Sequence, residues 1–305
     1  MGKIAFIFPG QGAQVPGMGK DFCEKYDVAK EVYKVASGSS GLDVESICFT
    51  ENDKLNITEY TQIALLTTEV AILSVIKEMG IEADVCAGLS LGEYGALAAS
   101  SVMENKDLFK LIRQRGIYMQ EAYPVGGAMM AVLGLDAETI ADVCEKTEGI
   151  VSIANDNCPG QIVITGEEVA VTRAGEALAA AGAKRCIPLN VSGPFHSKLL
   201  SGAGELLGKD LLDVKVNDPK IPYISNVTAD VVTSSEPVKD LLAKQVSSPV
   251  RFRESILKMK ELGVTTFVEI GPGKTLSGFI RKTDKELAVI NIGTVEDLEK
   301  LGALK

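Results

Sequence analysis

The pattern that most constrains this chain is a pair of short apolar runs, each ended abruptly by glycine. Ile4 to Phe8 is closed by Pro9-Gly10-Gln11-Gly12, and Asp84 to Ala87 by Gly88-Leu89-Ser90-Leu91-Gly92. Such runs fit strands buried on both faces of a parallel sheet, and a sheet of that kind needs helices above and below it. The stretches around them supply the helices. Helical periodicity covers about 17 to 36 and 58 to 79, a small-residue helix follows at Glu93 to Ser100, and another runs from about 104 to 122. Alternation of strands and helices predicts an α/β core.

At Gly126-Gly127 the rhythm changes. Met129 to Gly134 reads as a strand, Ala137 to Lys146 as a helix, and Ile150 to Ala154 and Ile162 to Thr165 as strands around a turn at Asn155 to Gly160. A helix at about 167 to 181 and a strand at Arg185 to Leu189 complete a βαββαβ order, the ferredoxin-like arrangement. The division predicted is a core made of 1–126 and 195–305, with 127–194 inserted as a small subdomain. From 195 the earlier rhythm returns: a helix to about 212, a strand at Ile221 to Ser225, helices near 236 to 246 and 253 to 262, strands at Thr266 to Ile270 and Ala288 to Ile292, and a closing helix.

Composition narrows the chemistry. Among 305 residues there is one histidine, His196, so a mechanism needing two imidazoles and a zinc site built on paired histidines are both excluded. The six cysteines form no CxxC pair, which is wrong for zinc fingers and iron–sulfur clusters, and no metal site is expected. A net charge of −10 argues against a nucleic-acid partner. The N-terminal apolar run is too short for an export signal, and no uninterrupted apolar stretch approaches the roughly 18 residues of a membrane span. The expectation is a soluble cytoplasmic protein with reduced thiols and no membrane partner.

Three glycine-rich loops invite functional readings. Gly10-Gln11-Gly12 lacks the third glycine of a dinucleotide fingerprint, and Gly273-Lys274-Thr275 lacks the first glycine of a P-loop, since residue 268 is Val268. The third, Gly88-Leu89-Ser90-Leu91-Gly92, is a GxSxG set between an apolar strand and a small-residue helix, the setting a nucleophile elbow requires. Ser90 is a nucleophile or a helix cap. A serine needs a base, and His196 is the one imidazole on offer. Ser192 or Gly193 can cap a helix that Pro194 begins, which puts His196 on a face with Leu199, Leu200, Ala203 and Leu207; the dipole at that helix start would keep the ring neutral. The alternative is a histidine that merely satisfies core groups. Arg115 falls within the apolar stripe Leu108, Leu111, Ile112 and Met119, and a buried guanidinium needs an anion, either a structural Asp or Glu or a substrate carboxylate.

These residues, with Phe8-Pro9-Gly10-Gln11-Gly12-Ala13-Gln14, Gly88 to Tyr94, Gln114-Arg115-Gly116, Ala154-Asn155-Asp156-Asn157, Phe195-His196-Ser197, Gln245 near Ser248-Pro249-Val250, and Glu269-Ile270-Gly271-Pro272-Gly273, closely resemble the malonyl-CoA:acyl-carrier-protein transacylases of fatty-acid synthesis. The resemblance spans the chain and implies an α/β-hydrolase-like core with the ferredoxin-like insert. It implies Ser90 as nucleophile, His196 as acid and base, the backbone N–H groups of Gln11 and Leu91 as oxyanion hole, and Arg115 as clamp for the malonyl carboxylate. A carbonyl at Gln245, rather than an acid, would orient the histidine, making a Ser-His dyad. Asn155, Phe195 and Gln62 would line the pocket. No permanently bound cofactor is implied; a coenzyme A thioester enters as substrate.

Many relatives carry histidine where this chain has Leu89, and Phe195 resembles the malonyl-selective form of its motif, as a ring leaves little room for an α-methyl branch. Acyl carrier proteins are acidic, so the carrier is expected at a locally basic face within 244–285, which holds nine basic and four acidic residues, Arg251, Lys274 and Arg281 among the former. A serine esterase or thioesterase acting on acyl-CoA, and a non-enzymatic carrier-binding scaffold, are the rival readings.

Overall fold

The computed structural model describes residues 2–191 and 193–304. Among these residues ten strands form two sheets: β1 (Lys3–Phe8), β2 (Val85–Gly88), β3 (Gly127–Leu133), β4 (Val151–Cys158), β5 (Gln161–Glu167), β6 (Arg185–Pro188), β7 (Tyr223–Ile224), β8 (Val231–Val232), β9 (Val264–Ile270) and β10 (Ala288–Ile292). The larger sheet runs β10-β9-β1-β2-β7-β8, parallel except for β8. Alternate side chains of its central strands enter two separate cores. Phe6, Phe8, Cys86, Val268 and Ile270 pack on one face with the helices Thr58–Glu78 and Asn105–Ala122. Ala5, Ile7, Val85, Ala87 and Phe267 pack on the other with Phe252–Glu261 and Thr275–Thr283. Burial on both faces is why these strands read as continuous apolar runs. Thr58–Glu78 is long and apolar enough to cross a membrane, but it is a core helix here, buried along almost its whole length.

The smaller sheet has the order β4-β5-β3-β6 and is antiparallel throughout, the ferredoxin-like topology. The helices Ala137–Lys146 and Glu168–Ala180 cover one face through Ile140, Cys144, Val171 and Leu178. The other face, with Met129, Ala131 and Val163, lies over a cleft at the C-terminal ends of β1 and β2. Two hydrogen bonds, Asp156 N to Val250 O at 2.9 Å and Val250 N to Ala154 O at 2.8 Å, tie β4 to the larger unit.

Several expectations change in detail. The helix expected over 17–36 is two, Lys20–Lys25 and Asp27–Ser40, broken at an extended Tyr26. The strand expected to end at Ala154 continues to Cys158, through register shifts at Ile153/Asn155 and Asp156/Cys158. The first bulge reverses the facing of the strand: Ile153 pairs with Ile164 on the helix-covered side, whereas Asn155 pairs with Val163 and faces the cleft. The helix expected from 195 begins only at Ser201, after a short 3-10 turn, Lys198–Leu200. Ser192, the expected cap, lies outside the described residues. Gly273-Lys274-Thr275 is a strand-to-helix turn, pinned by Glu269, whose carboxylate accepts the amides of Leu276 and Ser277 at 3.0 and 2.9 Å.

The turn between β2 and the helix Gly92–Ala99 is the tightest point in the fold. A methyl group on Gly88 would lie 2.0 Å from the carbonyl of Gly92, and one on Gly92 2.1 Å from the carbonyl oxygen of Phe8. Strand, turn and helix therefore approach closer than any side chain allows. Gly92→Ala is expected to lower unfolding free energy by about 2–3 kcal/mol, the usual cost of overpacking a close-packed site, measured as a shifted urea midpoint at unchanged slope.

Candidate active site

Ser90 sits at the apex of that turn with φ 55°, a left-handed conformation that costs a non-glycine residue energy and lifts its hydroxyl out of the chain path. Its backbone is held from behind. The Ser90 N–H donates to Asn226 Oδ1 at 2.7 Å, the Asn226 amide donates to Gly88 O at 2.6 Å, and Gln245 Nε2 donates to Ser90 O at 2.9 Å. The hydroxyl meets His196 Nε2 at 2.7 Å.

His196 is buried and its φ is 61°, so it stands in a turn and not in a helix. Its Nδ1 faces two carbonyls, Gln245 O at 2.9 Å and Ser248 O at 3.1 Å. Carbonyls only accept, so Nδ1 carries the hydrogen and Nε2 of the neutral ring has its lone pair toward Ser90. Burial, and then the positive charge of Arg115, push the imidazole down to about 4, against the opposing pull of the two carbonyls. The neutrality expected from a helix dipole thus arises from desolvation and a neighbouring cation, because no helix begins at this residue.

Arg115 is 1% exposed. Its Nη1 donates to Gln62 Oε1 at 2.6 Å, and its Nη2 to Gln245 Oε1 at 3.0 Å and Ser90 Oγ at 3.1 Å. The guanidinium lies 5.6 Å from the ring centroid of Tyr94. No carboxylate touches it, and Nε has no partner among the described residues. An arginine held by two neutral amides and a hydroxyl, with donors to spare, is set up to receive an anion from outside.

The cleft has a volume of about 230 Å³, and Gln11, Gln62, Ser90, Leu91, Arg115, Asn155, Phe195 and His196 all line it. Gln245 stands behind, fully buried. All nine residues singled out in the sequence thus meet in one place. The backbone N–H groups of Gln11 and Leu91 have no hydrogen-bond partner among the described residues, whereas the Gln11 side-chain amide donates to Thr58 Oγ1 at 3.1 Å. Leu89 lines the cleft and packs against the apolar cluster on the second face of the sheet. Sequence reasoning missed Asn226, whose only signal is an amide two residues past a short strand, and the placement of Glu93, whose Oε2 accepts from Gln245 Nε2 at 2.6 Å.

Comparison with known proteins agrees with this geometry. A family model described as an acyl transferase domain matches residues 5–303. The chain belongs to that family. Within the acyl transferase domain family it is similar to the malonyl CoA-acyl carrier protein transacylase of Bacillus subtilis, with 48% identity over 98% of this chain and 96% of the relative. The corresponding transacylase of Clostridium perfringens superposes with a TM-score of 0.95 at 43% identity, covering 99% of this chain and 96% of that one. A malonyl-transacylase solved in complex with a type II PKS acyl-carrier protein superposes with a TM-score of 0.96 at 38% identity, over 99% of this chain and 100% of that one.

A histidine depressed to about 4 stays largely unprotonated from about pH 5 upward. Labelling of Ser90 by an uncharged fluorophosphonate is therefore expected to change less than about threefold from pH 6.5 to 5, whereas an ordinary imidazole would lose roughly sixteenfold. The measurement is the rate of adduct formation by intact mass.

Proposed function

We propose that this chain transfers malonyl from malonyl-CoA to the phosphopantetheine thiol of an acyl carrier protein through a malonyl ester on Ser90. The observation that carries this is that one hydroxyl, Ser90 Oγ, lies within hydrogen-bond distance of both a neutral imidazole and a carboxylate-free buried guanidinium. Ser90 Oγ attacks the thioester carbonyl while His196 Nε2 takes its proton. The oxyanion of the tetrahedral intermediate is held by the amides of Gln11 and Leu91, each such donor being worth about 3 kcal/mol in the transition state. His196 returns the proton to the leaving sulfur, freeing coenzyme A. The carrier thiol then enters by the reverse path, its proton passing through His196 to Ser90 as the ester breaks. No permanent cofactor enters this scheme.

Arg115 supplies selectivity. A malonyl ester places its carboxylate two carbons beyond the ester carbonyl, short enough to turn back onto a guanidinium already touching Oγ. Phe195, which lines the same cleft, limits branching beside that carbonyl. The histidine works as a dyad member oriented by the carbonyls of Gln245 and Ser248, with no acid in contact among the described residues. The hydrolase and scaffold readings find no support in these relatives, all named as transacylases. Six free cysteines suit a soluble enzyme of the cytoplasm supplying fatty-acid synthesis.

The carrier is placed at the mouth of the cleft. Much of the basic segment is neutralised: Arg251 pairs with Glu254, Arg253 with Asp156 at 2.8 Å, Lys258 with Glu261 at 3.1 Å, and Lys260 with Asp284 at 2.5 Å. Lys274 and Arg281 are exposed and have no acidic partner among the described residues; Lys274 precedes the helix Thr275–Thr283 and Arg281 lies in its last turn, and Thr275 and Phe279 of that helix line the cleft. Exchanging both for Glu is expected to slow transfer to an acidic carrier about tenfold at low salt, with a smaller loss at high salt. Loading from malonyl-CoA should stay within about twofold; an equal loss in both half-reactions would refute the docking site.

The transferase assignment is tested by mixing the protein with malonyl-CoA, weighing the intact protein, and then adding carrier. A Ser90-dependent malonyl adduct that persists until the carrier arrives is expected; no adduct, or its prompt loss to water, would overturn the assignment. Arg115→Ala should cut malonyl loading by about a hundredfold, in line with loss of a buried charge-assisted contact of about 3 kcal/mol, and acetyl loading far less.

A further inference from the structure

The charge of Arg115 must be balanced while no substrate is bound, and the nearest candidate lies one side chain away. Gln245 spans the gap: its Oε1 accepts from Arg115 Nη2 at 3.0 Å, and its Nε2 donates to Glu93 Oε2 at 2.6 Å. Glu93 is fully buried on the helix that follows Ser90, and Oε2 also accepts the Asn226 N–H at 3.2 Å. Its other oxygen, Oε1, has no partner among the described residues. The anion is therefore poorly solvated at one end, and it exists for as long as a nearby cation compensates it.

We propose that Glu93 is a positioning residue that balances Arg115: ionised while the guanidinium is empty, and protonated, with the proton drawn from solvent, once a substrate carboxylate sits there. The proposal rests on Arg115 being the carboxylate clamp. Two anions would otherwise share one buried cation, and Glu93, with an unpartnered oxygen, is the one that can be neutralised. Loss of its charge loosens its hold on Gln245, whose main-chain carbonyl orients His196 and whose amide braces Ser90 O. Filling the clamp is thereby communicated to both reacting groups.

The other ionisable groups facing Glu93 do not compete for this role. Tyr94 on the same helix and Tyr223 on β7 are buried, and burial holds both phenols above their ordinary range, so they stay neutral. His196, across the guanidinium, is held at about 4. Burial raises Glu93 to about 7, its hydrogen bonds and Arg115 opposing, so the carboxyl titrates where the enzyme works. An added anion on Arg115 raises it further, so proton uptake follows binding and is largest just above pH 7.

The test is proton uptake during loading, read with a pH indicator in weak buffer. Acylation itself is neutral, since the serine proton leaves on the coenzyme A thiol; any ionisation of that thiol is common to malonyl-CoA and acetyl-CoA and cancels in their difference. At pH 7.5 malonyl loading is expected to take up roughly half to three quarters of a proton per acylated enzyme more than acetyl loading, fading to nearly none at pH 5.5. Glu93→Gln should abolish the difference. No difference in the wild-type enzyme, uptake that survives in Glu93→Gln, or uptake that grows toward pH 5, as protonation of His196 would give, each overturns the proposal. The wild-type pH trend decides the matter even if the variant fails to fold. Failure of malonyl to load Ser90, or loading indifferent to Arg115→Ala, would overturn the clamp itself; Arg115-dependent loading without uptake overturns only the role of Glu93.

Discussion

A guanidinium buried to 1% exposure, with no carboxylate in contact among the described residues, governs the arrangement around it. A full charge in the interior is tolerable only where every neighbour is chosen for it. The neighbours come from four separate segments: Gln62 from the long central helix, Ser90 from the tight turn, Gln245 from the helix Val238–Gln245, and Tyr94 from the helix after the turn. Each offers oxygen lone pairs or a ring face, and none delivers an opposing charge directly. Burial, and after it the same cation, depress His196, so the side chain that offers a receptive carboxylate site also helps to keep the base unprotonated.

The two sheets divide the labour of holding this arrangement. The parallel sheet brings the loop after β1 and the turn after β2 side by side, which places the amides of Gln11 and Leu91 at the same cleft. The antiparallel sheet contributes its uncovered face as the opposite wall. A bulge in β4 is what makes that wall polar at one edge, by turning Asn155 and Asn157 toward the cleft where a regular strand would have shown them to the helices. Asp156 points away and is paired with Arg253, which fastens the wall to the core.

Much of this was legible from residue order. Strands buried on both faces announce themselves as unbroken apolar runs, and Arg115 announces itself by interrupting a helical stripe. What escaped was set by contacts distant in sequence. Nothing near Asn226 indicates that its amide will clamp both Gly88 and Ser90, because that role depends on β7 lying beside β2. Proline at 194 and apolar residues at helical spacing suggested a helix through His196, yet the two carbonyls that receive its Nδ1 required a turn instead, and tertiary hydrogen bonds outweighed local propensity. Asn155 to Cys158 resembled a turn because bulged strands lose the period of two that marks a regular one.

Ser90 and His196 share one further property: among the few non-glycine residues with positive φ, they are the pair that meet across the cleft. Each is held in a conformation that its side chain disfavours by about 1 kcal/mol, and each is held there by the surrounding scaffold. The fold would be more relaxed with glycine at both positions. Drift toward greater stability would therefore favour glycine at both, and selection for the chemistry keeps a serine and a histidine where the backbone would accept something simpler.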